Sequence, residues 1–491
     1  MHFFQKQNIG SDYFERIIHY STPICHHFRL SMLTGEDDDE ISVARCLMGV
    51  PKDVEGNTCY YKSALTIPDE YGRTPLHYLF ENGYNDFNRT RYLSLIIEIS
   101  DNITDSYRSD GFPPPLEHNK TEHSKDSYWN ILLLMQNDHG LNPLHSLADN
   151  KTLGLEIVKS VIKKSSESSP LETGEHPLLC ADNYGEFPIH FACDDIYEGL
   201  QNRLEMLLGI EYSESYNPLC DTIFQVQTDG YTPIVVLLSA LLHYFYEDEE
   251  FFPRFCTENE WEPSQDPDDM ESFLDLLSSK RDVHFSLISS ITEYETFLSG
   301  MHVLLRAAAI SNFHHSYKSE HQLHTFDISE ELLHLAASVQ NYPTWVLQMV
   351  VLDNPSRLLN YDQIGRAPIH SAIIANSAPG HQGHRIQSRS NCMYWESENE
   401  PRSVVEYILE HAPDSVSLRE GRNGRLPIHL AICHGCHLES VIIPILTSFS
   451  QCNSDLDPIT GLLPFMLAAS EDVTSLDVLY TLLQLDPTHL E

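Results

Sequence analysis

The sequence predicts an all-α protein, an α-solenoid of helix–turn–helix repeats with short hairpin or turn fingers. Three observations lead to this prediction. A short string with a turn glycine and a proline three residues later occurs seven times. An amphipathic segment with a helical period follows each string, and in several repeats a further proline marks where that segment ends. Such units bury their apolar faces only by stacking on neighbours, which favours a row over a compact globule.

The recurring string joins a glycine turn to Pro-(Leu/Ile)-His at the start of an apolar helix. The copies read DEYGRTPLHYL from Asp69, NDHGLNPLHSLA from Asn137, DNYGEFPIHFAC from Asp182, QTDGYTPIVVLL from Gln227, DQIGRAPIHSA from Asp362, GRNGRLPIHLA from Gly421 and DPITGLLPFMLAA from Asp457. Two further segments, LLRAAA at 304–309 and HLAAS at 334–338, keep the helix without the glycine turn.

Each position of the string has a mechanical reason. Glycine adopts positive φ at little cost, as a tight turn requires; it occurs at Gly72, Gly140, Gly185, Gly230, Gly365, Gly424 and Gly461. Proline suits the first position of a helix, where no N–H is needed; it occurs at Pro75, Pro143, Pro188, Pro233, Pro368, Pro427 and Pro464. Thr74, Asn142 and Thr232 precede three of these prolines and are expected to cap the helices.

The second segment of each unit is predicted to be a helix because its apolar residues follow the helical period. These segments are TRYLSLIIEIS (90–100), LGLEIVKSVIKK (153–164), LQNRLEMLLGI (200–210), YPTWVLQMVVL (342–352), RSVVEYILEHA (402–412), HLESVIIPILTSF (437–449) and SLDVLYTLLQL (475–485). Pro355, Pro413 and Pro487 follow three of them and act as stop signals.

The pattern resembles the ankyrin repeat, whose signature is T-P-L-H-x-A in about 33 residues. The resemblance extends from about residue 65 to the end. It implies that the protein holds other proteins on its turns and concave face. We expect neither a cofactor nor catalytic activity. It also implies that the repeat histidine bonds to backbone and joins neighbouring turns, at His77, His145, His190, His370 and His429. Val235 and Met466 replace this histidine in two copies, so those junctions are expected to lose the bond.

The spacing of the strings suggests a division of the chain. We expect an N-terminal helical cap or degenerate repeat at 1–60, ankyrin repeats at 61–245, an acidic insert with a degenerate repeat at 246–300, and further repeats at 301–491. A loop insert is expected near 376–401. The number of degenerate repeats between residues 234 and 360 stays open.

The charge balance restricts the partners. Lys and Arg number 30 against 72 Asp and Glu, which gives a formal net charge of −42. Such a surface repels nucleic acid and anionic lipid and favours a basic protein segment, or serves only solubility. The longest apolar run, Ile234–Tyr246, is shorter than the roughly 20 residues of a membrane span. The eleven cysteines have no framework spacing, and no signal peptide is visible, so we expect an intracellular, cytoplasmic or nuclear protein.

Two motifs suggest other chemistry. Cys433-His434-Gly435-Cys436-His437 reads as C-x-x-C-H, the covalent haem-attachment pattern. The repeat pattern explains the same residues as the turn between two helices, and we favour that interpretation. Histidines cluster at His314, His315, His321 and His324, at His381 and His384, and beside Cys25 at His26 and His27. These clusters support an alternative hypothesis of a metal-binding or enzymatic protein, although C-x-x-C partners are missing near them. No phosphate loop, nucleophile elbow or H-E-x-x-H pair occurs in the sequence.

The leading hypothesis is therefore a non-enzymatic protein-interaction scaffold or adaptor. Aromatic residues and arginines at the turn tips are the expected contact residues, because these residue types anchor interfaces. The candidates are Tyr71, Arg73, His139, Tyr184, Tyr231, Arg366 and Arg425. The C-terminal segment SLDVLYTLLQLDPTHLE is strongly apolar for a terminal repeat, so either the natural protein continues or this edge binds something.

Overall fold

The computed structural model describes residues 64–81, 86–110, 128–168, 176–210, 216–228, 230–246, 251–259, 276, 293–316, 331–339, 344–352, 354–375, 403–472 and 474–485. Within these ranges every regular element is a helix, which confirms the all-α class. None of the helices in these ranges is both long enough and apolar enough to cross a bilayer. The expected cap at 1–60, the insert near 376–401 and most of the segment 246–300 lie outside the described residues.

The chain divides into two units. The N-terminal unit comprises residues 1–194 and 202–211, and the C-terminal unit comprises residues 195–201 and 212–491. This division falls inside the segment 61–245 that the repeats suggested as one domain, so the expected domain boundaries stay predictions.

The N-terminal unit places its short helices in a series. Its helices are α1 (Pro75–Phe80), α2 (Asp86–Asp110), α3 (Tyr128–Leu134), α4 (Pro143–Asp149), α5 (Leu155–Ser168), α6 (Pro188–Cys193) and most of α7 (Leu200–Leu208). Short 3-10 turns occur at Ala64–Thr66 and Pro177–Leu179. Helix α1 packs on α4, and α4 packs on α6. Helix α3 packs on α2, α4 and α5, and so connects the two long helices, α2 and α5, to this series.

The C-terminal unit repeats this arrangement over more elements. Its helices are α8 (Pro233–Tyr246), α9 (Phe251–Glu258), α10 (Tyr294–Ser316), α11 (Leu332–Ser338), α12 (Thr344–Val351), α13 (Pro368–Ala375), α14 (Val404–His411), α15 (Pro427–Cys433), α16 (Ile443–Ser448), α17 (Pro464–Ser470) and α18 (Leu476–Leu485). A π-helical turn, Leu438–Ile442, precedes α16. Short 3-10 turns occur at Pro218–Phe224, Pro355–Leu359, Pro413–Ser417 and Ser450–Ser454. Contacts run from α8 to α10, then in turn to α11, α13, α15 and α17, while α12, α14 and α16 form a second series.

Each helix of the recurring string begins at the proline that the sequence indicated. The expected caps differ among the three candidates. The Asn142 side chain accepts hydrogen bonds from the N–H groups of Leu144 (2.9 Å) and His145 (3.3 Å). The Thr74 hydroxyl lies 2.9 Å from His77 Nδ1 instead. The buried Thr232 hydroxyl has no partner among the described residues, so the expected cap there is wrong; Val235 stands where other copies have the histidine.

A buried arginine closes the C-terminal end of α4. The guanidinium of Arg203 donates to the carbonyl oxygens of Leu147 (3.0 Å), Asn150 (2.5 Å) and Leu153 (2.8 Å). The last carbonyls of a helix have no partner within the helix, so a cation that binds those of Leu147 and Asn150 stabilises the end of α4. Arg203 therefore fixes the loop after α4 against the following repeat.

Candidate functional site at the glycine turns

In four of the turns, the side chain of the residue that opens the turn holds its backbone. Asp69 Oδ1 accepts hydrogen bonds from the N–H groups of Tyr71 (2.9 Å) and Arg73 (2.8 Å). Asn137, Asp182 and Asp362 make the same two bonds within their turns. All seven string glycines have positive φ, between 68° and 85°. An Asp or Asn three residues before the glycine thus sets the turn, a role that the sequence interpretation did not assign.

Consecutive turns of the N-terminal unit are hydrogen-bonded to each other. The N–H of Asp138 donates to the carbonyl of Tyr71 (3.1 Å), and the N–H of Asn183 donates to the carbonyl of His139 (3.0 Å). A Cβ added at Gly140 would lie 2.6 Å from the Asn183 nitrogen. Glycine is therefore required there twice, for its positive φ and for the close approach of the next turn.

The last two turns of the C-terminal unit are one residue longer. Gly424 donates its N–H to Glu420, and Gly461 donates its N–H to Asp457, four residues back instead of three. The arginines that follow Gly365 and Gly424 each bridge to the acid that opens the following turn. Arg366 Nε lies 3.4 Å from Glu420 Oε1. Arg425 binds both carboxylate oxygens of Asp457, at 2.8 and 3.2 Å.

The Arg425–Asp457 pair is strongly polarised. Burial alone would raise the pKa of Asp457, but the hydrogen bonds from Arg425 and Thr460 outweigh burial and lower it to about 2. The carboxylate is therefore charged at neutral pH, and its charge is satisfied inside the repeat stack.

The repeat histidines connect each repeat to the repeat that follows it. His77 Nδ1 accepts a hydrogen bond from the N–H of Thr74 (3.1 Å), so its proton lies on Nε2, which donates to the carbonyl of Leu141 in the next turn (2.9 Å). His145, His370 and His429 make corresponding bonds, to the carbonyls of Glu186, Leu418 and Asp455. His190 Nδ1 likewise accepts from the N–H of Phe187 (3.1 Å).

The imidazoles of His77, His145, His370 and His429 are neutral at pH 7. Burial lowers the pKa of His77 and of His370 to about 4, and it lowers the pKa of His145 and His429 as well. Burial without a charged partner disfavours the protonated ring. The geometry of these four is that of a structural connector, with both ring nitrogens bonded to backbone.

Three aromatic rings occupy equivalent positions on the turns of the N-terminal unit. Tyr71, His139 and Tyr184 each precede the turn glycine and are exposed, with Tyr71 and Tyr184 at 55% and 57%. The backbone bonds between the turns place these residues on consecutive tips. We call Tyr71, His139 and Tyr184 the aromatic row. Tyr231, at the next expected tip, is half-buried.

The predicted arginines separate into two groups. The Arg73 guanidinium is accessible; it pairs with Glu81 (2.8 Å) and lies 5.8 Å from the Tyr71 ring centroid. Arg366 is only 7% exposed, and Arg425 is mostly covered by its bidentate pair. Both side chains are used inside the stack, so we withdraw Arg366 and Arg425 from the expected partner-contacting residues. The sequence could not show this because the acids that bind them belong to the following repeats.

The C-x-x-C-H string does not direct its thiols to one place. Cys433 Sγ points to Glu471 Oε1 (3.8 Å), in the repeat that follows, and Cys436 Sγ points to the Ile373 carbonyl (3.4 Å), in the repeat that precedes. Burial raises the pKa of both thiols to about 12. Gly435 has a φ of 62°, as the turn between two helices requires.

The histidine clusters are mostly outside the described residues. Of the cluster from 314 to 324, the His314 ring is described, and it stacks on Tyr216 with centroids 3.6 Å apart. Over the residues whose side chains are described, no three His, Cys, Asp or Glu are grouped so that they could hold a metal ion. The pairs His381 with His384 and His26 with His27 lie in parts that the structure does not describe.

The sequence interpretation missed one exposed aromatic residue next to a glycine turn. Tyr361, at 45% exposure, lies just before the acid that opens its turn, rather than beside the glycine.

Comparisons with known proteins add nothing to this description. No family model matches the sequence, and no curated protein matches it significantly.

Proposed function

We propose that this protein is a divergent ankyrin-type solenoid that acts as a non-enzymatic, intracellular interaction scaffold. The aromatic row is the proposed contact surface, together with Arg73 at its edge. The partner segment that fits best is a basic one.

The serial packing supports the solenoid part of the proposal. In each unit, the helices of the recurring string contact one another in chain order. Successive turns are joined by backbone hydrogen bonds, and successive helices by histidine. Each repeat therefore finds its main partners in its neighbours, as expected of a quasi-one-dimensional fold.

The aromatic row is the observation that supports the proposed binding of a partner. Three aromatic side chains at one turn position are exposed although the same sequence buries large aromatic residues elsewhere, such as Trp129 and Trp345. Exposed rings cost free energy of solvation that burial in a complex would recover. Aromatic anchors at repeated positions suit a long segment that crosses several turns.

Charge next to the row favours a basic partner. Glu70 and Asp138 are exposed beside Tyr71 and His139, and the whole chain has a net charge of −42. Lys and Arg side chains bind both carboxylates and the faces of tyrosine rings. A basic segment would thus gain from both features of the surface.

Affinity capture with matched baits tests the proposal. The full-length protein and its Tyr71→Ser/Tyr184→Ser variant are compared as baits in native extract, with quantitative mass spectrometry. We expect one or a few proteins with Lys/Arg-rich segments to be captured about tenfold less by the variant, and to dissociate as salt rises, because exposed charge pairs are screened.

Two controls make the result specific. The substituted tyrosines are exposed, so the variant should keep wild-type stability within about 0.5 kcal/mol. A Leu476→Ser/Tyr480→Ser variant alters exposed residues far along the chain and should still capture the proteins whose capture depends on Tyr71 and Tyr184. Identical capture by the wild-type and tip-variant baits would overturn the proposal.

A further inference from the structure

The last two described helices leave apolar side chains uncovered. Helix α17 packs on α15 and α18, yet Met466 on its outer side is 40% exposed. On α18, Leu476 and Tyr480 are one helical turn apart and are 81% and 64% exposed, while Val478 and Leu482 are buried. We call Met466, Leu476 and Tyr480 the terminal edge. Helix α18 therefore buries one face in the repeat stack and exposes an apolar stripe on another.

The turn of this repeat is also open on its stacking side. A Cβ on Gly72, Gly140 or Gly365 would collide with the following turn, and one on Gly424 would touch Pro458. A Cβ on Gly461 would meet nothing within 4 Å among the described residues. Met466 occupies the position from which histidines in other repeats donate a hydrogen bond to the next repeat. Among the described residues, nothing covers the surface that in other repeats receives a neighbour.

The charge of the edge restricts what can cover it. Residues 426–491 contain no Lys or Arg. Asp472 and Asp477 are exposed beside the apolar stripe, and within the described residues no Lys or Arg forms an ion pair with either. A second copy of this chain would bring the same carboxylates against these and would be repelled. A complementary partner has an apolar face bordered by basic residues.

We infer that the terminal edge is a second docking surface, separate from the aromatic row, for an amphipathic helix of a partner protein. The apolar face of that helix packs on Met466, Leu476 and Tyr480. Its Lys or Arg residues lie over Asp472 and Asp477. The fit follows from helix geometry, because residues three and four apart form one face that can match the stripe on α18.

Defined peptides test this inference on the full-length protein. The probe is a fluorescent peptide of about 18 residues, five helical turns, with leucines on one face and lysines on the other. Its binding is measured by fluorescence anisotropy. We expect the Leu476→Ser/Tyr480→Ser variant to bind about tenfold more weakly than wild type, and Asp472→Asn/Asp477→Asn about threefold more weakly. A peptide with glutamate in place of lysine should not bind.

The controls separate docking from general attraction to an acidic protein. A peptide with the same residues in scrambled order keeps the charge without the apolar face, so its weak binding should not differ between wild type and variant. The Tyr71→Ser/Tyr184→Ser variant should bind the ordered peptide as wild type does. Equal affinity of wild type and the edge variant for the ordered peptide would overturn the inference, as would light scattering that shows a dimer in wild type and a monomer in the edge variant. Neither result depends on the aromatic row, so this inference and the proposed function can fail independently.

Discussion

The same turn position serves different purposes in the two units. After the turn glycine of the N-terminal unit, Arg73 stays accessible and pairs with Glu81 of its own repeat. After the turn glycine of the C-terminal unit, Arg425 is withdrawn into the stack and binds Asp457 of the next repeat. The opening residue of the next turn decides the outcome, since it is the neutral Asn137 in one case and a carboxylate in the other. A repeat position is therefore free for binding a partner only where the neighbouring repeat makes no use of it.

Both units contain buried, neutral repeat histidines. Acid should protonate them and destabilise both units, and this is the largest effect we expect. Burial lowers the pKa of His77 and of His370 to about 4, against about 6.5 in the unfolded chain. Each group stabilises the fold fully above pH 6.5 and loses that contribution as pH falls towards 4. From pH 7 to pH 5 the loss is about 2 kcal/mol for each histidine. Urea unfolding at the two pH values measures the sum.

Hydrogen exchange followed by mass spectrometry at both pH values separates the units. Peptides around α1 and α13 should both lose protection at pH 5, because each unit contains at least one of these histidines. Retained protection in both regions would contradict the buried neutral imidazoles.

Two glycine substitutions compare a closed junction with an open one. Gly140→Ala introduces a Cβ 2.6 Å from the Asn183 nitrogen, in addition to the strain of positive φ, whereas Gly461→Ala introduces only the strain. We expect free energies of unfolding to fall by about 3 kcal/mol and about 1 kcal/mol respectively. Denaturant titration of both variants measures the difference. Equal losses would mean that the turns do not abut as described.

Removing the arginine that follows the glycine tests the comparison itself. Arg425→Met leaves the Asp457 carboxylate buried without its partner, and we expect a loss of about 2 kcal/mol. Arg73→Met removes a partly exposed pair and should change the free energy of unfolding by less than about 0.5 kcal/mol. The two variants are matched in chemistry and in position within the repeat, and thermal or urea unfolding compares them directly. Similar effects from both substitutions would show that the Arg425 pair contributes no more than a surface contact.

The sequence correctly indicated the local structure within each repeat. Glycine with positive φ and proline at the first helical position both depend on local backbone geometry, and the structure has them at every copy. The sequence did not indicate the arginine contacts between repeats. Arg366 and Arg425 were expected at the partner surface but lie inside the stack, because the Glu420 and Asp457 that bind them belong to the following repeats. Thr232 was expected to cap its helix and does not. Which side chains remain exposed depends on neighbours that a repeat motif does not specify.

The histidine bond also explains how such unequal repeats can belong to one fold. Nearly the same Nε2–oxygen distance, 2.9 to 3.2 Å, is kept by partners 64, 41, 48 and 26 residues apart in the chain. The recurring string fixes how adjacent repeats are aligned. The chain between two strings does not contribute to that alignment, so its length can vary. Lengthening a loop whose ends are already held costs little free energy. The chain can therefore acquire long insertions between its prolines while the spacing of its stacked turns stays constant.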